Sequence, residues 1–135
     1  MAPEGLITLA SGFNPKETID RLSTAVSTHG LTVLARIDHA AAAAGVGLDL
    51  RPTEVLIFGN PRAGTPLMQA AQTMGVDLPL RVLVWEDEAG KTWLSYNDPQ
   101  WLARRHGAIV GMDGVLAAMT NGLAAVVREA AGTVG

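Results

Sequence analysis

Cysteine is absent from this 135-residue chain. That excludes disulfides, iron–sulfur clusters, thiolate zinc sites and thiol catalysis. Aromatic residues are scarce, with three Trp, two Phe and one Tyr, so the core must be built from aliphatic side chains and alanine. Charge is sparse as well: 17% of residues are charged, and 10 Lys and Arg face 13 Asp and Glu. A net charge of -3 offers no basic face of the kind that nucleic acid needs. A long uninterrupted apolar run is also missing. The most apolar stretch, 108–127, contains Asp113, Thr120, Asn121 and several glycines. A charged group inside a bilayer is costly, so this stretch reads as a buried or interface helix and not as a membrane span. The first twelve residues have neither a basic start nor a sustained apolar run, so no signal peptide is expected. A cytoplasmic protein with no membrane partner is the expectation. What the chain does have is apolar content, 48%, too much for a disordered segment. Its length fits one domain, 1–135, able to bury a core without staples.

Local signals divide the chain into short elements. Leu6 to Ala10 is an apolar run for a first strand. Asn14-Pro15-Lys16-Glu17 opens a helix, with Asn as cap, Pro in the first position and Glu completing a capping box. Ile19, Leu22 and Val26 follow at helical spacing, and Gly30 ends it. Leu31 to Ile37 predicts a second strand. His39 then opens five alanines and Gly45, about two helical turns. Glu54 to Phe58 is a third strand whose unbroken run Val55-Leu56-Ile57-Phe58 predicts burial on both faces. Gly59-Asn60-Pro61 is a turn signal; a helix is expected from Thr65-Pro66 to Gly75. Arg81 to Trp85 and Thr92 to Tyr96 predict a hairpin around the acidic tip Glu86–Gly90, with Trp85 and Trp93 able to meet across it. Asp98-Pro99 starts a short helix, and Asp113 is expected to cap a long one over about 113–131. The first strand-helix-strand unit can pair its strands in parallel, whereas the hairpin must be antiparallel. The expected fold is therefore α+β: a two-layer sandwich with a mixed, mostly antiparallel sheet of about five strands and helices packed on one face.

Titratable residues give few chemical leads. His39 follows Asp38 at a strand end, where an imidazole serves as a general base or as a metal or haem ligand; local capping of the alanine helix is the plainer alternative. His29 beside Gly30 suits a helix C-terminus, and His106 after Arg104-Arg105 reads as a solvated face. The three histidines lack metal-site spacing. Gly59 to Thr65 is a glycine-containing strand-to-helix loop whose N–H groups, with Arg62, offer an anion site, although it has neither the dinucleotide nor the P-loop pattern. Tyr96-Asn97-Asp98 sets a hydroxyl and a carboxylate at a strand end; a helix cap and a Tyr at the core edge explain them equally well. The three Trp suit core packing or a subunit interface. No Ser stands in a nucleophile elbow and no Lys in an apolar setting, which argues against covalent catalysis.

Several segments occur together in one order: Asp38-His39, Ala44-Gly45, Leu50-Arg51-Pro52-Thr53, Leu56-Ile57-Phe58-Gly59-Asn60-Pro61, Gly64-Thr65-Pro66-Leu67-Met68, Leu78-Pro79-Leu80-Arg81 and Tyr96-Asn97-Asp98-Pro99. Over about residues 5–106 the chain resembles the bacterial and archaeal domain of unknown function 302 family, with the helix after Gly107 at or beyond the edge of the pattern. The resemblance implies a compact α+β homodimer and no known reaction. It implies a cleft that gathers His39, Gly59, Asn60, Pro61, Leu78, Pro79, Tyr96 and Asp98, and it raises haem or another small molecule as the ligand of His39. The leading expectation is a small-molecule-binding homodimer contacting ligand through His39, Gly59, Asn60, Arg62, Tyr96 and Asp98, with Asp98 as an orienting carboxylate. The rivals are haem or metal binding through His39, a small enzyme in which His39 is a general base paired with Asp38 or Asp98, and an assembly subunit without a pocket. The apolar excess of the C-terminal helix points to that helix as the dimer interface.

Overall fold

The computed structural model describes residues 2–132. Its five strands are β1 (Leu6–Ala10), β2 (Thr32–Asp38), β3 (Thr53–Gly59), β4 (Leu80–Glu86) and β5 (Thr92–Asn97). Its helices are α1 (Pro15–Thr28), α2 (His39–Gly45), α3 (Pro61–Ala70), α4 (Pro99–His106) and α5 (Asp113–Ala131), with a 3-10 turn at Gln72–Val76. The strands form one open sheet in the order β1-β5-β4-β3-β2, and every neighbouring pair is antiparallel. The fold is the expected α+β, but the sheet is not mixed. β1 and β2 do point the same way, yet they occupy opposite edges with three strands between them. α1 makes that connection possible. Its 14 residues span about 21 Å, and four strand spacings cover about 19 Å. The helix crosses the sheet, touching β2, β3, β4 and β5.

The sheet is covered on one face. Leu56, Phe58, Val82, Val84 and Leu94 are at most 1% exposed, and Tyr96 is 8% exposed. Leu22 and Val26 of α1 and Leu123, Val126 and Val127 of α5 are buried with them. On the other face Val55, Ile57, Leu83, Trp85 and Trp93 are half-buried, so the unbroken apolar run in β3 reflects two apolar faces of which the helices cover one. Trp85 and Trp93 stack there with ring centroids 6.2 Å apart. Their indoles are anchored: Trp85 Nε1 donates to Ser95 Oγ and Trp93 Nε1 to Asp87 Oδ2, both at 2.9 Å. The Asp87 carboxyl is held below its ordinary pKa, first by that indole hydrogen bond.

Three helices begin with the same device, an Asn or Asp cap followed by proline in the first position. Asn14 Oδ1 accepts from Glu17 N, Asn60 Oδ1 from Arg62 N, and Asp98 Oδ1 from Gln100 N. The second case corrects an expectation. α3 starts at Pro61, not at Thr65-Pro66, and Pro66 lies inside it. It stops at Ala70 and not at Gly75, which falls in the 3-10 turn. α5 also differs: Met112 occupies the cap position without a side-chain bond, and Asp113 is the first helical residue. The apolar stripe of α5 is taken up inside the chain, with Leu116, Met119, Leu123, Val126 and Val127 buried. Its outward residues are small or polar, among them Gly114, Ala117, Ala118 and Asn121. The apolar surplus assigned to this helix is therefore core.

His106 is not solvated. Its side chain is 10% exposed and its Nε2 bonds Asp77 Oδ2. Its Nδ1 bonds Thr73 Oγ1 at 2.8 Å, and Arg105 Nη1 reaches the same Asp77 oxygen at 3.0 Å. This cluster ties the end of α4 to the turn after α3. Removing His106 would leave Asp77 with Arg105 alone among these two side-chain partners and would take away the Thr73 contact, a loss of hydrogen bonds to a largely buried carboxylate. His106→Ala is expected to lower stability by about 1–3 kcal/mol, read as a drop in denaturation midpoint; an unchanged midpoint would show that the cluster is not structural. Tyr96 gives a second test. Burial is the main cause that raises its pKa above the ordinary value, with Arg128 opposing and Asp98 adding to the shift. A raised folded pKa means that stability is full below about pH 10, the unfolded value, and is lost as pH rises through the folded one. Tyr96→Phe should therefore gain on the wild type in chemical denaturation between pH 9 and 11, and equal pH slopes for the two would contradict this.

Candidate functional site

The register of the sheet decides which of the predicted site residues meet. Asp38 pairs with Glu54 and Thr32 with Gly59. His39 therefore leaves one end of the β2–β3 ladder and Asn60 leaves the other. Seven residue steps along β3 separate the two levels, roughly 23 Å at about 3.3 Å per residue. Tyr96 pairs with Val82, and Leu80 with Phe58, so Tyr96 and Asp98 lie at the Asn60 end, two strands away. A single cleft joining His39 to Asn60, Tyr96 and Asp98 does not form within one chain.

Each of these residues has a local role. Asp38 Oδ1 accepts from Ala41 N at 2.9 Å and caps α2, so it is not directed at His39, the exposed first residue of that helix. Asp98 Oδ1 is used on Gln100 N at 3.0 Å, and it cannot orient an imidazole at the far end of the sheet. Tyr96 faces the core. Arg62 is exposed on the first turn of α3. The expected anion loop is also absent. Arg62 N is taken by Asn60 Oδ1, and Ala63 N and Gly64 N both donate to Asn60 O at 3.0 Å. The amides that were to bind an anion are satisfied by the cap itself. Among the described residues no group of three or more His, Asp or Glu is placed to hold a metal ion.

A different site is built around Asn60. A cavity of about 470 Å³ opens between the start of β2, the Gly59-Asn60-Pro61 junction, α3, the Leu78-Pro79 segment and α5. Its walls are apolar: Leu31, Leu34, Met68, Leu78, Pro79, Met119 and Leu123. Polar groups are few and sit in Thr32, Asn60 and Thr65. Small residues make the room. Ala63 and Gly64 line it from α3 and Ala118 and Gly122 from α5, and a Cβ added at Gly122 would meet nothing within 4 Å. At Gly59 a Cβ would stand 3.3 Å from Pro79 Cβ, so this glycine lets β3 pass close to the cis Leu78-Pro79 segment. Gly59, Asn60, Pro61, Leu78 and Pro79 are thus brought together, as the resemblance implied. The α5 wall was missed from sequence. Its signal was Gly122 in a helix interior, where glycine costs about 1 kcal/mol against alanine and calls for a spatial reason. A second concavity of about 510 Å³ runs along α1 beside Lys16, Glu17, Asp20, Arg21 and Glu129. It is crossed by their own contacts, such as Lys16–Asp20 at 3.1 Å and Arg21 Nη2 to Glu129 O at 2.9 Å, and offers no apolar enclosure.

Comparison with known proteins agrees with this architecture. The crystal structure of an uncharacterized conserved protein DUF302 from Bacillus stearothermophilus superposes with a TM-score of 0.83 at 22% identity, covering 95% of this chain and 99% of that one. At that identity the likeness shows the fold. Two curated relatives are 48% identical over 128 residues: the proteins named Fluoride-specific ion channel FluC 1 from Brucella suis biovar 1 and from Brucella abortus biovar 1. Those residues are 95% of this chain but 50% and 47% of the relatives, so the chain spans about half the length of the curated proteins it matches. Among the described residues no helix is long and apolar enough to cross a membrane. The family described as "Domain of unknown function DUF302" matches residues 7–127, which takes in most of α5 and extends the pattern beyond the expected limit near residue 106. Over those residues, from β1 almost to the end of α5, the chain belongs to the DUF302 family.

Proposed function

We propose that this chain is a cytoplasmic, small-molecule-binding homodimer whose ligand has an apolar body and enters the cavity between α3 and α5. The cavity's volume of about 470 Å³ carries this reading. It lies within the roughly 300–1,000 Å³ range of ligand pockets and has their chemistry, apolar walls with a few polar groups among them. Asn60 and Thr65 supply hydrogen-bonding groups there, and Gly59 keeps the junction narrow. Binding through Arg62, Tyr96 or Asp98 has less support, because none of the three lines the cavity and Asp98 Oδ1 already caps α4. Haem or metal binding through His39 has less support still, since His39 does not line the cavity and, among the described residues, no group of three or more His, Asp or Glu is placed to hold a metal ion. His39 as a general base has less support too, since Asp38 Oδ1 caps α2 and Asp98 Oδ1 caps α4. The apolar environment fluorophore anilinonaphthalene sulfonate tests the site. Gly122→Leu fills the cavity from α5 without a clash at Cβ and improves helix propensity. The wild type is expected to bind the fluorophore with enhanced emission, and Gly122→Leu to bind at least about tenfold more weakly, or about 1.4 kcal/mol, with no loss of thermal stability. A wild type that gives no enhancement, or a leucine variant that binds equally, would sink the assignment.

The 48% identity to one half of proteins named as fluoride channels favours a second reading, in which this domain works beside a channel as a module outside the membrane. It supports a partner of that class and says nothing of fluoride binding by the domain itself. Stoichiometric retention of the chain on an immobilised FluC-type channel from the same cell is the expected outcome. Complete recovery in the unbound fraction would remove this second reading and leave the first untouched.

A further inference from the structure

The cavity between α3 and α5 is uncharged as well as apolar. Seventeen residues line it, and none is Asp, Glu, Lys, Arg or His. The chain as a whole is 17% charged, which for seventeen residues corresponds to about three. The concavity along α1 shows the contrast, with Lys16, Glu17, Asp20, Arg21 and Glu129 in its wall. The charges nearest to the cavity in sequence are turned away or occupied. Arg81 follows the lining residue Leu80, but it pairs with Ile57, whereas Leu80 pairs with Phe58. Successive side chains of a strand point to opposite faces, so Arg81 stands on the uncovered face of the sheet. Asp77 precedes the lining residue Leu78, and its carboxyl is bonded by Arg105 and His106. Arg62 is exposed and is not in the wall.

The polar side chains of the wall are donors first. Thr32, Asn60 and Thr65 are exposed, whereas Leu80, Met119 and Leu123 are buried. A ligand is thus offered an apolar interior and a polar outer end. Asn60 is the most directional of the three. Its Oδ1 accepts from Arg62 N at 3.0 Å, and that bond fixes which way the amide is turned. The Nδ2 group carries two N–H donors and has no partner among the described residues. Met68 lines the cavity from α3 and Met119 from α5. Methionine is unbranched and fills irregular gaps, so these walls adapt to the shape of an apolar body. Selection then falls on the head of the ligand.

We propose that the ligand is an uncharged lipophile whose head is a hydrogen-bond acceptor, a ketone, aldehyde or ester carbonyl, held by Asn60 Nδ2. This rests on the cavity being the binding site. A carboxylate head would accept the same hydrogen bonds, but its charge would leave water for a wall with no cation to offset the loss. An ammonium head would lose its hydration likewise and would meet a donor. The volume of about 470 Å³ admits on the order of fifteen non-hydrogen atoms, at about 30 Å³ each as for water in the liquid. That is the size of a medium-chain or two-ring molecule.

The test displaces N-phenyl-1-naphthylamine, the uncharged parent of anilinonaphthalene sulfonate, from the wild-type chain. The sulfonated fluorophore enters with its rings alone and keeps its charge in water. Three competitors share one chain length and differ in the head: 2-octanone, octanoate and octylammonium. The ketone is expected to displace the fluorophore at a concentration about tenfold or more below that of either ion. Asn60→Asp keeps an oxygen to cap α3 but, once ionised, has no donor. It should hold the thermal midpoint and bind the ketone about tenfold more weakly. Octanoate that competes as well as the ketone, or an Asn60→Asp chain that binds the ketone undiminished, would overturn the carbonyl assignment and spare the cavity. A wild type that does not bind the fluorophore, or a Gly122→Leu chain that binds it equally well, overturns the cavity itself.

Discussion

One face of a five-stranded sheet presses against two helices, and most other features of this molecule answer to that contact. Leu22 and Val26 of α1 and Leu123, Val126 and Val127 of α5 close over Leu56, Phe58, Val82, Val84 and Leu94. Each large aliphatic group buried this way contributes about 1.5–3 kcal/mol, and truncation to alanine leaves a cavity that costs about 2–5 kcal/mol. With few aromatic residues, the layer must be thin and tightly spaced. α1 runs the width of the sheet, and α5 lies alongside it, held at its end by Arg21, which donates to the carbonyls of Glu129 and Ala130. The earlier part of α5 reaches past α1 toward α3, and there the side chains shrink to Ala118 and Gly122. The cavity is the space left where α3 contributes Ala63 and Gly64 and α5 contributes Ala118 and Gly122 between their larger wall residues Met68, Met119 and Leu123.

Local chemistry was legible in the sequence, and non-local pairing was not. The cap-and-proline device predicted α1 and α4 correctly because a cap acts within three residues. The same device stands at Asn60-Pro61, but the glycine before it made the segment look like a turn, and Thr65-Pro66 competed as a start. A proline six residues into a helix is tolerated at a cost, so the earlier cap prevailed. The hairpin and the Trp85–Trp93 contact were likewise local. The adjacency of β1 and β2 was not: only the return of β5 to β1 reveals that three strands lie between them. The site suffered for the same reason. Asp38-His39 and Gly59-Asn60 are each motifs at a strand end, but which end follows from antiparallel register, and no residue in either motif encodes it. His106 was misjudged because its partner Asp77 lies 29 positions away in sequence, on an element whose helical end came earlier than expected.

Apolar content that seemed to belong to α5 is distributed differently. α5 turns its large residues inward and shows small ones outward, so its share of the 48% is core. The surface surplus lies instead on the second face of the sheet and on the stretch from Leu34 to Leu50. β3 links the two, with Leu56 and Phe58 buried under helices and Val55 and Ile57 half-buried on the other side. Strict alternation would have marked a sheet with one wet face. Its absence in β3 marks a sheet whose second face is only partly wet, bordered by the strand that has no outer neighbour.

The two edges of the sheet are not equivalent in how their backbone is used. β1 has five residues, and the backbone around it is already in use: Ser11 N bonds Thr92 O, Gly12 N bonds Ala131 O, and Gly5 O accepts from Asp98 N. Its flanks are thus stitched to β5, α5 and the start of α4, and a short, pinned edge resists further pairing. β2 is longer and ends directly in α2, whose seven residues bury nothing. A bulge near Leu34 interrupts only its first part, the part beside the cavity. Interrupted between Val33 and Ala35, the strand leaves Leu34 outside the regular ladder with β3 and in the lining of the cavity, so the irregularity that weakens β2 as a sheet edge is also what supplies a wall of the cavity.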